Sequence, residues 1–135
     1  MYLHKLEKDE KTAFLSLAKH LAQVDDSRID AREKYMIQYM CAEMGTDYES
    51  ADKSPFDVEK FAKVFFREEA RRVALLEAVG VCRGSGDINA SQKKVLDALA
   101  AKFSLGGDFI ARAEQTIRKQ LEVMNEFDKL IAGAV

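Results

Sequence analysis

The chain is poor in everything that breaks or decorates a fold. Its 135 residues include one proline, no tryptophan and two cysteines. A β-sandwich or barrel needs turn residues every few positions, and so little punctuation argues against one. The cysteines, Cys41 and Cys82, have no CxxC spacing, which excludes the common zinc and redox motifs; free buried thiols in a reducing compartment are the expectation. Net charge is equally scarce. Twenty-one basic side chains against 23 acidic ones leave -2, too little to draw the chain to nucleic acid or anionic lipid. No apolar run approaches membrane-spanning length. The opening MYLHKLEKDEKT is charged throughout and does not read as a signal peptide, so a cytoplasmic location is the default. HExxH, GxSxG and Walker loops are all missing, and neither His4 nor His20 stands in a nucleophile motif.

What remains is 47% hydrophobic and 33% charged, a balance that suits an ordered domain. The length suits one domain that folds without disulfides or metal. The apolar residues recur at helical spacing. The pattern predicts a first helix from about residue 5 to Val24, with Phe14, Leu17, Ala18, Leu21 and Val24 on one face. A second follows Asp30, carries Ile37, Met40, Cys41 and Met44, and ends at Gly45. After the polar stretch TDYESADKS, Ser54 and Pro55 predict the cap and first turn of a short third helix bearing Val58, Phe61 and Ala62. A break near Phe65–Phe66 separates it from a fourth helix, about Arg67 to Cys82. The fifth follows Asn89, carries Val95, Leu96, Leu99 and Phe103, and stops at Gly106–Gly107. The last, about Asp108 to Ile131, shows Ile110, Ile117, Met124 and Ile131 every seven residues. Such a stripe closes the chain's own core or pairs with a second copy. No segment reads as a strand. The expectation is an all-α protein, a compact bundle of about six helices.

The two halves match at a shift of 59 residues. Ile29-Asp30-Ala31 falls on Ile88-Asn89-Ala90, Glu33 on Gln92, Ile37 on Leu96, Met40 on Leu99, Phe14 on Val73 and Leu17 on Leu76. Each half is a helix, a polar loop and a second helix. Two pseudo-repeated helix–loop–helix units facing one another would share one core.

The loops between those helices differ. VDDSRIDARE places Asp25, Asp26, Asp30 and Glu33 within nine positions, an oxygen-rich set suited to a hard cation such as calcium or magnesium. CRGSGDINASQ is glycine-rich and lacks the second set of acids. Neither loop is a competent EF-hand: with Ile29 at the eighth position, Glu33 reaches the twelfth, but Ala22 and Val24 occupy the first and third. D-A-R-E and N-A-S-Q also read as capping boxes, which explain Asp30, Glu33, Asn89 and Gln92 without metal.

The stretches QVDDSRIDAREKYMIQYM and CRGSGDINASQKKVLDAL resemble those of the TerB-like domains, the family of tellurite-resistance protein TerB and of the DjlA co-chaperone N-terminal domain. The likeness runs from about Thr12 to Phe103. Asp26, Ile29 and Glu33 stand at the family's loop aspartate, isoleucine and glutamate, with Ser27 at its glycine. In the second half Gly86 and Ile88 are kept, while Ser85 and Gln92 replace the aspartate and glutamate. The resemblance implies a single helical domain over residues 1–135 with no enzymatic activity, acting as an accessory or interaction module. It also implies a weak divalent-cation site, here resting on Asp25, Asp26, Asp30 and Glu33 alone, with no cofactor required for folding. The partner expected is a protein or a second copy, not nucleic acid. Three other features are noted: the methionine ladder Met36, Met40, Met44; the exposed-strip candidates Tyr35 and Tyr39; and the Gly84–Gly86 turn. A helical enzyme with a site between the hairpins is the reading from another class.

Overall fold

The structure, a computed structural model, describes residues 1–24, 29–51, 54–84 and 86–133. Among them it is all-helical, with six α-helices and two single 3₁₀ turns at Leu3–Lys5 and Tyr48–Ser50. The helices are α1 (Lys8–Gln23), α2 (Ala31–Met44), α3 (Val58–Val64), α4 (Glu68–Gly84), α5 (Ala90–Lys102) and α6 (Gly107–Ile131). The central element is α4, which packs against α1, α2, α5 and α6. Its sequence explains the position. Ala70, Ala74 and Ala78 are buried beside Val73, Leu75, Val79, Val81 and Cys82, so small side chains let neighbours approach while large ones fill the gaps.

The 59-residue shift is visible in the fold. It carries α1 onto α4 and α2 onto α5 within one or two residues. Both second helices begin with the same device. Asp30 Oδ1 accepts the Glu33 N–H at 2.8 Å and Glu33 Oε1 accepts the Asp30 N–H at 3.2 Å. Asn89 Oδ1 and Gln92 Oε1 repeat those two bonds at 2.8 and 3.2 Å. Each box satisfies two of the N–H groups that a helix start leaves without partners. At the other end of α2, Gly45 takes φ +68 while Thr46 N–H reaches the Cys41 carbonyl at 3.0 Å, the left-handed closure that glycine adopts without a Cβ penalty.

Three expected boundaries move. The first helix starts at Lys8, because Leu3–Lys5 forms a separate turn and Glu7–Glu10 make a capping box of their own. Ser54 and Pro55 lie outside α3; Asp57 caps it by accepting the Glu59 N–H at 2.9 Å. Gly106 and Gly107 do not end α5. They begin α6, as its cap and first residue, and α5 closes through Ser104 at φ +56. The break at Phe65 stands where the sequence places it.

Both cysteines are free and buried. Burial pushes the Cys82 thiol up to about 12 and raises that of Cys41 as well. Only the thiolate attacks a disulfide reagent. At pH 8 a rise of about three pH units slows labelling about a thousandfold relative to an ordinary cysteine. Ellman's reagent should therefore leave Cys82 intact in the native protein and titrate it promptly in denaturant. Prompt labelling of the folded chain would contradict this packing.

Candidate functional site

Of the four acids expected to form a cation site, Asp25 and Asp26 lie outside the described residues, as do Ser27 and Ser85. Asp30 and Glu33 stand together at the start of α2, but as a cap: one oxygen of each is engaged by a backbone N–H. Among the described residues no group of three or more His, Cys, Asp or Glu side chains converges on a point that could hold an ion. The second loop's counterpart, Gln92, is buried at 4% exposure. Its Nε2 donates to the Leu21 carbonyl at 3.2 Å, tying α5 to the end of α1 across the two hairpins.

The remaining sequence candidates sort by burial. In the methionine ladder Met44 is buried, with Met36 and Met40 half-buried against the core, so it is packing. Tyr35 and Tyr39 are exposed by 72% and 69%; the strip faces solvent. His20 stacks on Phe56 with ring centroids 4.7 Å apart, and burial lowers its pKa, which favours the neutral imidazole. Two concavities flank that stack. One of about 250 Å³ is lined chiefly by Ala13, Phe56, Phe61 and Val64; the other, of about 530 Å³, by Lys19, His20, Gln23 and Glu49.

Two buried carboxylates organise the N-terminal segment. Glu10 accepts two bonds from Arg67, at 2.5 and 3.3 Å, besides the Glu7 N–H. Glu77 accepts the Tyr2 N–H at 2.9 Å, and Glu43 the Leu3 N–H at 3.1 Å. Burial of Glu43 works to raise its pKa, but the Met1 ammonium and the Leu3 N–H outweigh it and hold the carboxyl below its ordinary value. Glu43 and Glu77 thus fasten the first residues, Met1 to Leu3, over α2 and α4.

The most unusual surface is on α6. Ile110, Ala113 and Ile117 are buried in the body. From Arg118 onward every described residue is exposed, yet large apolar side chains continue: Leu121 49%, Val123 47%, Met124 53%, Phe127 55%, Leu130 72% and Ile131 85% exposed. A monomer seldom leaves a contiguous apolar patch beyond a few hundred Å² open. At the foot of this segment the Gln120 amide touches the Met1 sulfur at 2.7 Å, and Met1, Tyr39, Ala42 and Glu43 line a concavity of about 470 Å³. Periodicity pointed to this helix; which half the body covers is a tertiary fact that periodicity does not contain.

No protein-family model matches the chain, and no curated protein and no solved structure matches it. No helix among the described residues is long and apolar enough to cross a membrane.

Proposed function

We propose that this chain is a non-catalytic helical interaction module whose docking element is the distal half of α6. One observation supports it above the others: past Ile117 the helix leaves the body while its apolar row continues into solvent. A helix of about a dozen residues has little stability alone in water, and an amphipathic face of this kind is a common means of seating a helix against a partner. The duplicated hairpins then serve as the scaffold that holds the segment out. This keeps the accessory-module role expected from the TerB-like resemblance. It leaves aside the cation site, since Asp30 and Glu33 act as caps.

The test is a double substitution, Phe127→Glu with Leu130→Glu, in the full chain. Side chains that touch only solvent tolerate such changes within about 0.5 kcal/mol. At about 1 µM protein the thermal midpoint should move by no more than about 2 °C, while fluorescence of a hydrophobic dye falls. A drop in the midpoint well beyond that would mean the segment packs into the body, and the docking reading would fail.

A further inference from the structure

We propose that the cleft between α1 and α3 is a binding site for a small aromatic amine, which enters ring first and leaves its ammonium among the acids of the rim. The inference is independent of the docking reading, since no residue of α6 lines this cleft.

Both helices turn one face to it. Asp9, Ala13 and Ser16 on α1 follow one another at spacings of four and three, and Asp57, Phe61 and Val64 repeat those spacings at the start of α3 and along it. Each face therefore begins with an acid, Asp9 in the first turn of α1 and Asp57 at the cap of α3. Phe56, from the strap that leads into α3, supplies a further wall. Its ring is held by two others, stacked on His20 at 4.7 Å and lying 5.6 Å from Phe61. Such a wall is in place before a ligand arrives, so binding carries little ordering cost.

Size selects the ring. An apolar cavity of about 150 Å³ takes a benzene molecule, and this cleft measures about 250 Å³. That is room for one ring and a short tail. It falls below the range of about 300–1,000 Å³ that larger ligands fill, which excludes a nucleotide or an extended cofactor. The cleft is also the more apolar of the two concavities beside the His20–Phe56 stack, and aromatic walls favour an aromatic guest through offset and edge-to-face packing.

Charge selects the tail. Among the described residues that line the cleft, two acids, Asp9 and Asp57, stand against one base, Lys60, and all three are exposed. The α3 cap engages Asp57 Oδ1 through the Glu59 N–H and leaves the carboxylate its negative charge. A cationic tail gains at this rim and an anionic tail loses. For a ligand of about nine non-hydrogen atoms, Kd belongs at about 1–10 mM.

NMR titration of the isotope-labelled full chain with phenethylamine, to about 20 mM, tests the site. Amides of residues 12–16 and 56–64 should shift and saturate. Hydrocinnamate, the same ring on a carboxylate tail, should bind about five- to tenfold more weakly. Butylamine, an amine without a ring, should give no saturable shift. Asp9→Asn with Asp57→Asn should erase the preference for the amine, while asparagine keeps the α3 cap. Equal binding of phenethylamine and hydrocinnamate by the wild type overturns the proposal, with or without a folded variant. So does an amine preference that survives the double substitution. Saturable shifts confined to α6, or none at all, overturn it too.

Discussion

Phe65→Ala should cost about 3–5 kcal/mol of stability, a large share of the roughly 5–15 kcal/mol that holds a domain of this size folded. Phe65 closes α3 and is fully buried. Its ring lies 4.5 Å from that of Phe61 and 5.9 Å from that of Phe103, and Phe61 is itself 5.6 Å from Phe56. This aromatic row is what binds a seven-residue helix, too short to persist alone, onto α5. The Phe65 carbonyl also accepts a bond from Arg71 Nε at 2.5 Å, and the Arg71 guanidinium sits over the Phe103 ring. Removing the ring leaves a cavity among neighbours fixed from several sides, where collapse is hardest and the cost highest. The adjacent Phe66 is the control. It is 71% exposed, and Phe66→Ala should change stability by no more than about 0.5 kcal/mol. Urea unfolding of the two variants at equal slope reads the contrast; equal losses would refute this account of how α3 is held.

The same cluster explains where sequence reasoning stopped short. Ser-Pro before an apolar run is a sound start signal for a helix, yet Phe56, the next residue, stacks on His20 of α1. That tertiary contact lies outside the helix, and Asp57 takes the cap instead. Gly106–Gly107 misled for a related reason. The left-handed residue that closes α5 is Ser104, with Leu105 N–H reaching the Ala100 carbonyl at 2.9 Å and Ser104 N–H the Ala101 carbonyl at 3.2 Å. Glycine is the usual occupant of that position, so a serine there leaves no compositional mark. Signals that depend on chain-local chemistry were legible: the two capping boxes, the Gly45 closure and the six helical stripes. The duplicated hairpin was legible too, because its caps recur at a fixed offset.

The candidate site was legible only as a pattern. The seven-residue row on α6 was evident from Ile110 to Ile131, but the row has the same spacing where it is buried and where it is bare. Covering depends on where α4 and α5 end against it, a matter of three-dimensional reach. The acidic loop posed the opposite problem. Asp30 and Glu33 suit a cation or a cap by residue type, the D-A-R-E spacing and its N-A-S-Q counterpart already favour the cap, and the 2.8 and 3.2 Å backbone bonds show that cap formed.

Gln92 is where that distinction has its largest expected effect. Its position matches Glu33 in the first hairpin, and a glutamate there would restore the symmetry of the acidic pairs. Gln92→Glu should nevertheless destabilise the chain by about 3–5 kcal/mol at pH 7. The capping acceptor would survive, since Oε1 already takes the Asn89 N–H. The donor would not. Nε2 now gives its hydrogen to the Leu21 carbonyl at 3.2 Å, at a site only 4% exposed. A carboxylate in its place sets a charged oxygen against a carbonyl oxygen at a buried position. Glu33 fills the same capping role in the first hairpin at a half-buried position. The pH dependence follows from the same geometry. Burial and the facing carbonyl disfavour ionisation, so the introduced carboxyl has its folded pKa raised above the unfolded value near 4.3. Below about pH 4.3 both states are protonated, and the acid's O–H can again donate to Leu21. As the pH rises from there through the folded pKa, the unfolded chain gains by ionising first and the native state loses ground. Urea midpoints of wild type and variant should lie closest near pH 4 and farthest apart at pH 7. A gap that is constant with pH would remove the buried donor bond as the reason a glutamine stands at this position.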